Sequence, residues 1–206
     1  RNTGDATVVG WELQTDVVIS DGWTANVGVS YTDSVWDKAR QATYQFLPSF
    51  YVPNPDPDGV PLGGDISGHQ MLRVAPWTVN ASLQYRHEIS NDWSFYGRSD
   101  ITWKDSWYVG NDNQSTVPAS TFVNLRLGIE SESYTVELWV NNLFDYSDPI
   151  GAFRDIFWTN TQDLQSANDP PTSTLADFPP IRLSLNQPSL RTYGITGRVR
   201  FGGARQ

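Results

Sequence analysis

Polar and apolar residues alternate without a break between Trp77 and Ile89 (WTVNASLQYRHEI). The odd positions are mostly apolar, whereas every even position, from Thr78 to Glu88, is polar. Because successive side chains of a strand point to opposite faces, this segment predicts a β-strand with one apolar and one polar face. It is longer than the usual strand of about 5–6 residues and fits a strand that crosses a bilayer, which needs about 9–11 residues.

The same alternation recurs in six further segments: Thr7–Ile19, Trp23–Val35, Trp93–Trp107, Thr121–Ile129, Tyr134–Asn142 and Leu190–Phe201. Charged residues in the middle of these segments all occupy polar positions: Glu12, Asp16, Arg86, Arg98, Asp100, Arg126, Glu137 and Arg198. The pattern predicts an all-β chain that forms about seven strands of an antiparallel, transmembrane up-and-down β-barrel. A soluble β-sandwich, which also buries alternate apolar positions, is the other fold considered.

The connections between these segments alternate in length. Short turns lie at Ser20–Gly22, Ser90–Asp92 and Glu130–Ser133. Between them lie two long connections, about 36–76 and 145–189, and a polar connection of medium length, about 108–119. Outer-membrane barrels have short periplasmic turns and longer extracellular loops. The alternation therefore predicts that 36–76 and 145–189 are long extracellular loops.

Aromatic residues concentrate near the ends of the predicted strands. Those beside the short turns are Trp23, Trp93, Tyr134 and Phe201, and those beside the long connections are Tyr31, Trp36, Trp77, Trp103, Trp107, Phe144 and Tyr146. Amphipathic rings gather at both water interfaces of a membrane barrel. A sandwich has no reason to sort its aromatics in this way, so their distribution favours the barrel.

Composition narrows the functional classes. The chain has 206 residues, a net charge of -9 and no cysteine, which argues against a nucleic-acid partner and against disulfides. The mean hydropathy of -0.44 is compatible with a barrel wall, because only alternate residues face lipid. The sequence begins at Arg1 without a signal peptide and is expected to be a piece of a longer protein.

Three segments carry a resemblance to a known family. Thr121–Tyr146, with the run VNNLFD at Val140–Asp145, resembles the penultimate hairpin of TonB-dependent outer-membrane receptors, and Pro188–Phe201 resembles their last strand. Leu72–Asn80 is similar to another of their strand starts. The resemblance implies that residues 1–206 are the C-terminal part of a barrel of about 22 strands, without its plug domain and earlier strands.

The resemblance also implies a function. It points to energised uptake of a scarce, bulky nutrient, with a ferric siderophore as the default substrate, across the outer membrane of a Gram-negative bacterium. The implied partners are outer-membrane lipid, the rest of the barrel, the plug and the TonB energy-transducing complex. Alternatives are a passive substrate-selective porin and a non-transporting surface-binding barrel. The spacing of His69 and His87 suggests no catalytic set, so no enzymatic activity is expected.

The long loops contain the candidate ligand-binding residues. Aromatic side chains, which offer large stacking surfaces, occur at Tyr44, Phe46, Phe50, Tyr51, Phe153, Phe157 and Trp158. They predict a ligand vestibule or a self-packed loop core, and both interpretations can hold together.

A weaker motif lies at Asn54–Asp65, where Asn54, Asp56, Asp58 and Asp65 fall at positions of a calcium loop. Asn replaces the first Asp, Asp replaces the bidentate Glu, and prolines stiffen the segment. A solvated Asp-Gly turn is the favoured alternative, and no other cofactor is expected.

The alternation makes a direct prediction about which side chains face lipid. In the intact protein, Leu83→Arg should destabilise the barrel by about 2–4 kcal/mol near the bilayer midplane, because it places a charge in lipid. Gln84→Arg, on the polar face, is the matched control and should cost little. Urea unfolding in lipid vesicles measures both changes, and equal tolerance would contradict the assignment.

Overall fold

The structure, a computed structural model, describes residues 4–41, 64–156 and 181–201. Eleven β-strands lie in these ranges: β1 (Gly4–Ser20), β2 (Trp23–Ala39), β3 (Trp77–Ser90), β4 (Trp93–Lys104), β5 (Trp107–Tyr108), β6 (Thr116–Val117), β7 (Ser120–Glu130), β8 (Tyr134–Asn141), β9 (Gly151–Ile156), β10 (Ile181–Asn186) and β11 (Thr192–Val199). Within the described ranges, no helix is long and apolar enough to cross a bilayer.

Seven strands form one antiparallel sheet in the order β1-β2-β3-β4-β7-β8-β11. The other strands form two small hairpins, β5-β6 and β9-β10, which lie within connections of the large sheet. Each of the seven alternating segments corresponds to one strand of the large sheet, so the predicted all-β, up-and-down arrangement is confirmed. The sheet is open, with β1 and β11 at its edges.

The strand register places the polar residues on one common face of the sheet. One row across five strands contains Thr24, Gln84, Arg98, Arg126 and Trp139. The neighbouring row contains Ala25, Leu83, Ser99, Leu125 and Val140. Because paired residues on adjacent strands point to the same side, these rows belong to a polar face and an apolar face.

Aromatic rings on the apolar face form two clusters at opposite ends of the strands. At the long-loop end, Trp77 packs against Trp11 and Tyr31, with ring centroids 5.6 and 4.7 Å away. At the tight-turn end, the ring of Tyr85 lies 4.7 Å from that of Trp23. From Trp23 to Tyr31, β2 extends about 26 Å along its own axis, at about 3.3 Å per residue. A strand tilted by about 35–45° rises about 20 Å over this length, which is most of the apolar band of outer-membrane barrels, about 25 Å.

Three aromatics predicted for the girdle at the long-loop end lie elsewhere. The indole of Trp36 donates a hydrogen bond to Asn111 Oδ1, Trp107 is buried in a small loop core, and the Tyr146 ring packs against Phe122. Phe122 belongs to the polar face, since it pairs with Thr102. Trp107 and Tyr146 lie in the connections, where strand parity no longer applies, and Trp36 occupies a polar-face position of β2.

Several strand boundaries also differ from the sequence prediction. β2 continues through the predicted start of the first long loop to Ala39, and β4 ends at Lys104 instead of Trp107. The predicted loop 145–189 contains the β9-β10 hairpin, in which Gly151 pairs with Asn186. In each case a partner strand supplies main-chain hydrogen bonds that local polarity does not reveal.

Two aromatic side chains on the polar face lie across glycines of the neighbouring strand. A Cβ added to Gly128 would lie 2.5 Å from Tyr96 Cζ, and one added to Gly194 would lie 2.5 Å from Trp139 Cζ2. Only glycine permits this close approach between ring and backbone. The rings therefore occupy the space that a side chain would fill on β7 and β11.

The close approach predicts a specific destabilisation. Gly128→Ala should lower the free energy of unfolding of the intact protein by about 1–3 kcal/mol, because the methyl group displaces the Tyr96 ring. Gly197→Ala is the matched control, since a Cβ there meets nothing within 4 Å, and should change stability by less than about 0.5 kcal/mol. Urea unfolding in detergent micelles distinguishes the two. Equal stability of the two variants would show that the ring does not need the glycine.

Candidate functional site

Segments from three connections pack together at the long-loop end of the sheet. This long-loop assembly comprises residues 64–76, 105–119 and 151–153. Its apolar core consists of Trp107, Val109, Val117 and Ala152, with Ala75 packed against it. The first segment is also tied to the extended β2 by pairing of Val35 with Gln70 and of Arg40 with Asp65. These described segments therefore form one structure at the long-loop end of the sheet.

Asn111 joins the second of these segments to residues 64–76 and to the end of β2. Its side-chain Oδ1 accepts hydrogen bonds from Trp36 Nε1 and from the Leu72 amide, each 3.1 Å long. Its Nδ2 donates to Gln41 Oε1 over 3.1 Å, and its carbonyl accepts from His69 Nδ1 over 2.8 Å. Asn111 is buried, and an amide suits this position because it both donates and accepts hydrogen bonds.

Two further residues of this junction, Asn113 and Arg73, adopt left-handed backbone, with φ angles of 54° and 62°. The Asn113 side chain accepts from the Gln70 amide over 2.8 Å and donates to the Gln70 carbonyl over 2.9 Å. The Arg73 amide donates to the Tyr108 carbonyl over 2.9 Å. The Asn113 side chain thus pairs with both main-chain groups of Gln70, as a neighbouring strand would do. Asparagine suits this position because it tolerates a positive φ.

One predicted vestibule residue is placed by the structure. Phe153 is 54% exposed, and the guanidinium carbon of Arg73 lies 5.6 Å from the centre of its ring. This cation–π contact links the first long connection to β9. Its exposed ring offers a surface for stacking. The other vestibule candidates lie outside the described residues: Tyr44, Phe46, Phe50, Tyr51, Phe157 and Trp158.

Asp65, the last residue of the calcium-loop pattern, is engaged in a turn. Its Oδ1 accepts hydrogen bonds from the Ser67 hydroxyl at 2.6 Å and the Ser67 amide at 3.0 Å, which hold the pKa of Asp65 below its ordinary value. Bidentate coordination would compete with this turn. Asn54, Asp56 and Asp58 lie outside the described residues. Among the residues that are described, no group of three or more potential ligands of the His, Cys, Asp or Glu type occurs, and the calcium site stays a prediction.

The run VNNLFD forms a turn around the buried side chain of Asn142, and this turn joins β8 to the segment that enters β11. Asn142 has a φ of 52° and is only 4% exposed. Its Nδ2 donates to the carbonyls of Tyr146 and Ser189 over 2.9 and 3.0 Å, and its Oδ1 accepts from the Tyr146 amide over 2.9 Å. Asp145 Oδ1 accepts from the Arg191 amide over 2.9 Å. These hydrogen bonds therefore fix the position of residues 189–191, which lead into β11.

The same turn positions Tyr146 at the upper edge of the polar face. Its ring contacts Phe122 edge-on, with centroids 5.4 Å apart, and its hydroxyl donates to the Ala119 carbonyl over 3.0 Å. Partial burial raises the pKa of this hydroxyl. The position of Tyr146 thus depends on β7 as well as on its own turn.

Below the loops, charged side chains on the polar face are paired. Arg98 donates to Asp100 Oδ1 from Nε at 2.9 Å and Nη2 at 2.7 Å, and Arg86 pairs with Glu130. The Tyr96 hydroxyl donates to Glu137 Oε2 over 2.7 Å. The Arg98–Asp100 pair lies within β4, whereas the Arg86–Glu130 and Tyr96–Glu137 contacts each join two strands that flank a third and so connect the polar face.

Sequence reasoning did not single out Asn111, Asn113 or Arg73 as junction residues, and it left Trp139 unassigned. The run around Asn142 was noted only for its resemblance. The one local signal is the residue type itself, since asparagine adopts left-handed backbone more readily than most residues. Their partners lie far away in sequence and could not be read from local pattern.

Substitutions at Asn142 separate its hydrogen bonds from its backbone conformation. Asn142→Ala should destabilise the protein by about 3–4 kcal/mol, from three lost hydrogen bonds and a strained left-handed alanine. Asn142→Gly keeps the backbone unstrained and should cost about 1 kcal/mol less. Urea unfolding in micelles measures both. A change below about 0.5 kcal/mol in the alanine variant would exclude a role for this turn in stability.

Two solved structures are similar in fold to the chain. The ferric yersiniabactin uptake receptor FyuA from Yersinia pestis superimposes with a TM-score of 0.63 and 16% identity, covering 98% of this chain and 24% of that one. The siderophore receptor PiuA from Acinetobacter baumannii gives a TM-score of 0.58 and 15% identity, covering 95% and 22%. The chain spans less than a quarter of either receptor. At these identities the likeness concerns the fold alone.

The sequence comparison identifies the family. No curated protein matches the chain. Residues 1–143 match the family model described as TonB dependent receptor-like, beta-barrel. This match covers more than half of the chain and includes β1 to β8, of which all but the β5-β6 hairpin belong to the large sheet. The chain therefore belongs to the TonB-dependent receptor β-barrel family.

Proposed function

We propose that this chain forms part of the wall of an outer-membrane receptor that imports a scarce, bulky nutrient with energy supplied through TonB. The observation that carries the proposal is the antiparallel sheet with one polar and one apolar face, capped at one end by packed connections. A membrane barrel places its polar face inward and its apolar face against lipid. Family membership supports energised import over passive diffusion.

The open edges of the sheet support a larger barrel. β1 and β11 each lack a second neighbour in the large sheet, and lipid does not tolerate unpaired main-chain groups. We therefore assign residues 1–206 to the C-terminal part of a barrel whose remaining strands and plug complete the receptor. The long loops about 36–76 and 145–189 then face outward from a Gram-negative cell.

The candidate ligand surface lies at that outward end. Arg73 and Phe153 present an exposed cation and an aromatic ring, and the aromatics of the neighbouring loop segments, such as Tyr44 and Trp158, are proposed to extend this surface. A ferric siderophore is the default substrate, supported by the names of the two structural neighbours. Such ligands offer rings and negatively charged oxygens that suit aromatic and cationic side chains.

Uptake assays test this function. Cells without their own siderophore receptors, supplied with the intact receptor, should accumulate radiolabelled iron from a panel of ferric siderophores. Accumulation should stop when TonB is deleted or the membrane is de-energised, because the proposed transport is energised. A passive porin would continue to admit substrate under both conditions. A surface-binding barrel would retain ligand on the cell without accumulating it, and either result would replace the proposal.

A further inference from the structure

A histidine lies on the apolar face of the sheet, at its tight-turn end. His87 pairs in register with Phe95 on β4. The same row continues through Ile129 on β7 and Val136 on β8. The other members of this row are apolar, whereas an imidazole ring needs a hydrogen-bond partner wherever bulk water is excluded. The position of His87 therefore calls for a polar group on the lipid side of the wall.

Neighbouring rings set the height of His87 in the membrane. Its ring lies 6.2 Å from that of Tyr85, with an interplanar angle of 6°. Tyr85 in turn packs against Trp23 and Phe95, with ring centroids 4.7 and 6.4 Å away. Aromatic rings at the end of a membrane strand mark the level of the lipid headgroups. His87 is exposed and lies two residues nearer the tight turn than Tyr85, so it reaches this level.

The turn between β1 and β2 ends beside this histidine. The Arg86 amide donates to the Gly22 carbonyl over 2.8 Å. β3 continues beyond this contact to Ser90, so the β3-β4 hairpin projects past the β1-β2 hairpin. The resulting hairpin step has His87 on one side and Asp21, the residue before Gly22, on the other.

The hairpin step faces lipid in the complete barrel. The plug of the proposed receptor faces the opposite, polar side of the wall, and β3 has both of its neighbours in the sheet. The remaining strands attach at β1 and β11. His87 and Asp21 are exposed, and in the part of the chain that the structure describes, neither side chain has a hydrogen-bond or ion-pair partner. Both groups are therefore available to a ligand from the membrane.

We propose that the hairpin step binds the headgroup of a phospholipid that carries a primary ammonium, as phosphatidylethanolamine does. The imidazole N–H of His87 donates to a phosphate oxygen, and the carboxylate of Asp21 accepts from the ammonium group. The rings of Tyr85 and Trp23 pack against the first methylene groups of the acyl chains.

Charge complementarity selects this headgroup. The two turns that flank His87 each contribute a carboxylate, from Asp21 and Asp92, and the neighbouring cation Arg86 is paired with Glu130 on the polar face. These carboxylates disfavour an anionic lipid, which has no ammonium group to compensate them. A choline headgroup has the positive charge but no N–H to donate. A primary ammonium meets both requirements.

This inference goes beyond the proposed uptake. It depends on the barrel wall and its lipid-facing side, and it involves neither the long loops nor TonB. Lipid binding is measured on the purified receptor without an energy source. A receptor that imports no iron therefore still tests the site, and the two proposals fail separately.

Native mass spectrometry of the intact receptor in non-ionic detergent tests the proposal with added lipids of identical acyl chains. Phosphatidylethanolamine should bind about fivefold more tightly than phosphatidylcholine or phosphatidylglycerol, because one net hydrogen bond contributes about this factor. His87→Leu should weaken the binding of phosphatidylethanolamine about fivefold. His87→Gln keeps an N–H donor and should retain most of the affinity.

Variants in two turns test the carboxylate. Asp21→Asn should abolish the preference for phosphatidylethanolamine over phosphatidylglycerol. Glu132→Gln is the matched control, because it removes an exposed carboxylate from another tight turn, between β7 and β8, and it should leave the preference unchanged. All of these substitutions are at exposed positions, so the circular dichroism spectra should stay those of a folded barrel.

Four results would overturn the site: equal binding of the three lipids, tightest binding of phosphatidylglycerol, equal effects of His87→Leu and Glu132→Gln, or an unchanged lipid preference in Asp21→Asn. A preference for phosphatidylethanolamine that is lost in the His87→Leu and Asp21→Asn variants, and retained in Glu132→Gln, would establish it.

Discussion

Main-chain hydrogen bonding between neighbouring antiparallel strands is the constraint on which the rest of this structure depends. A lipid environment offers no partner for an unpaired amide or carbonyl, so each strand must pair along its length. Pairing in turn sets the register, and a slip by one residue would move every side chain to the opposite face. The unbroken alternation from Trp77 to Ile89 is the sequence counterpart of this constraint, because it gives only one register an apolar lipid surface.

The two faces of the sheet are stabilised by different interactions. The apolar face needs only hydrophobic side chains and rings near the interfaces, as the clusters around Trp77 and Tyr85 provide. The polar face must hold charges on neighbouring strands in a connected arrangement. It does so through pairs such as Arg86 on β3 with Glu130 on β7, and through aromatic rings that pack over glycines of the neighbouring strand. Among the residues that the structure describes, Arg126 takes no part in these ion pairs.

The connections at the long-loop end have no continuous ladder to satisfy their main chain. Asparagine side chains take over that role: Asn111, Asn113 and Asn142 together bond to chain segments that precede and follow them by many residues. Buried main-chain groups need such partners wherever strands end. These hydrogen bonds anchor the described loop segments to the sheet. The exposed pair Arg73 and Phe153 therefore lies on segments that are held in place.

The sequence by itself determined the strands of the large sheet, their order and their facing, because a period of two is a local property that any register must respect. Strand parity placed Leu83 and Gln84 correctly on opposite faces. Only the tertiary structure decided the positions of Trp36, Trp107, Tyr146 and Trp139, and the existence of the β9-β10 hairpin. Those positions depend on contacts between residues far apart in sequence, such as Trp36 with Asn111, and the polarity of neighbouring residues carries no information about such partners.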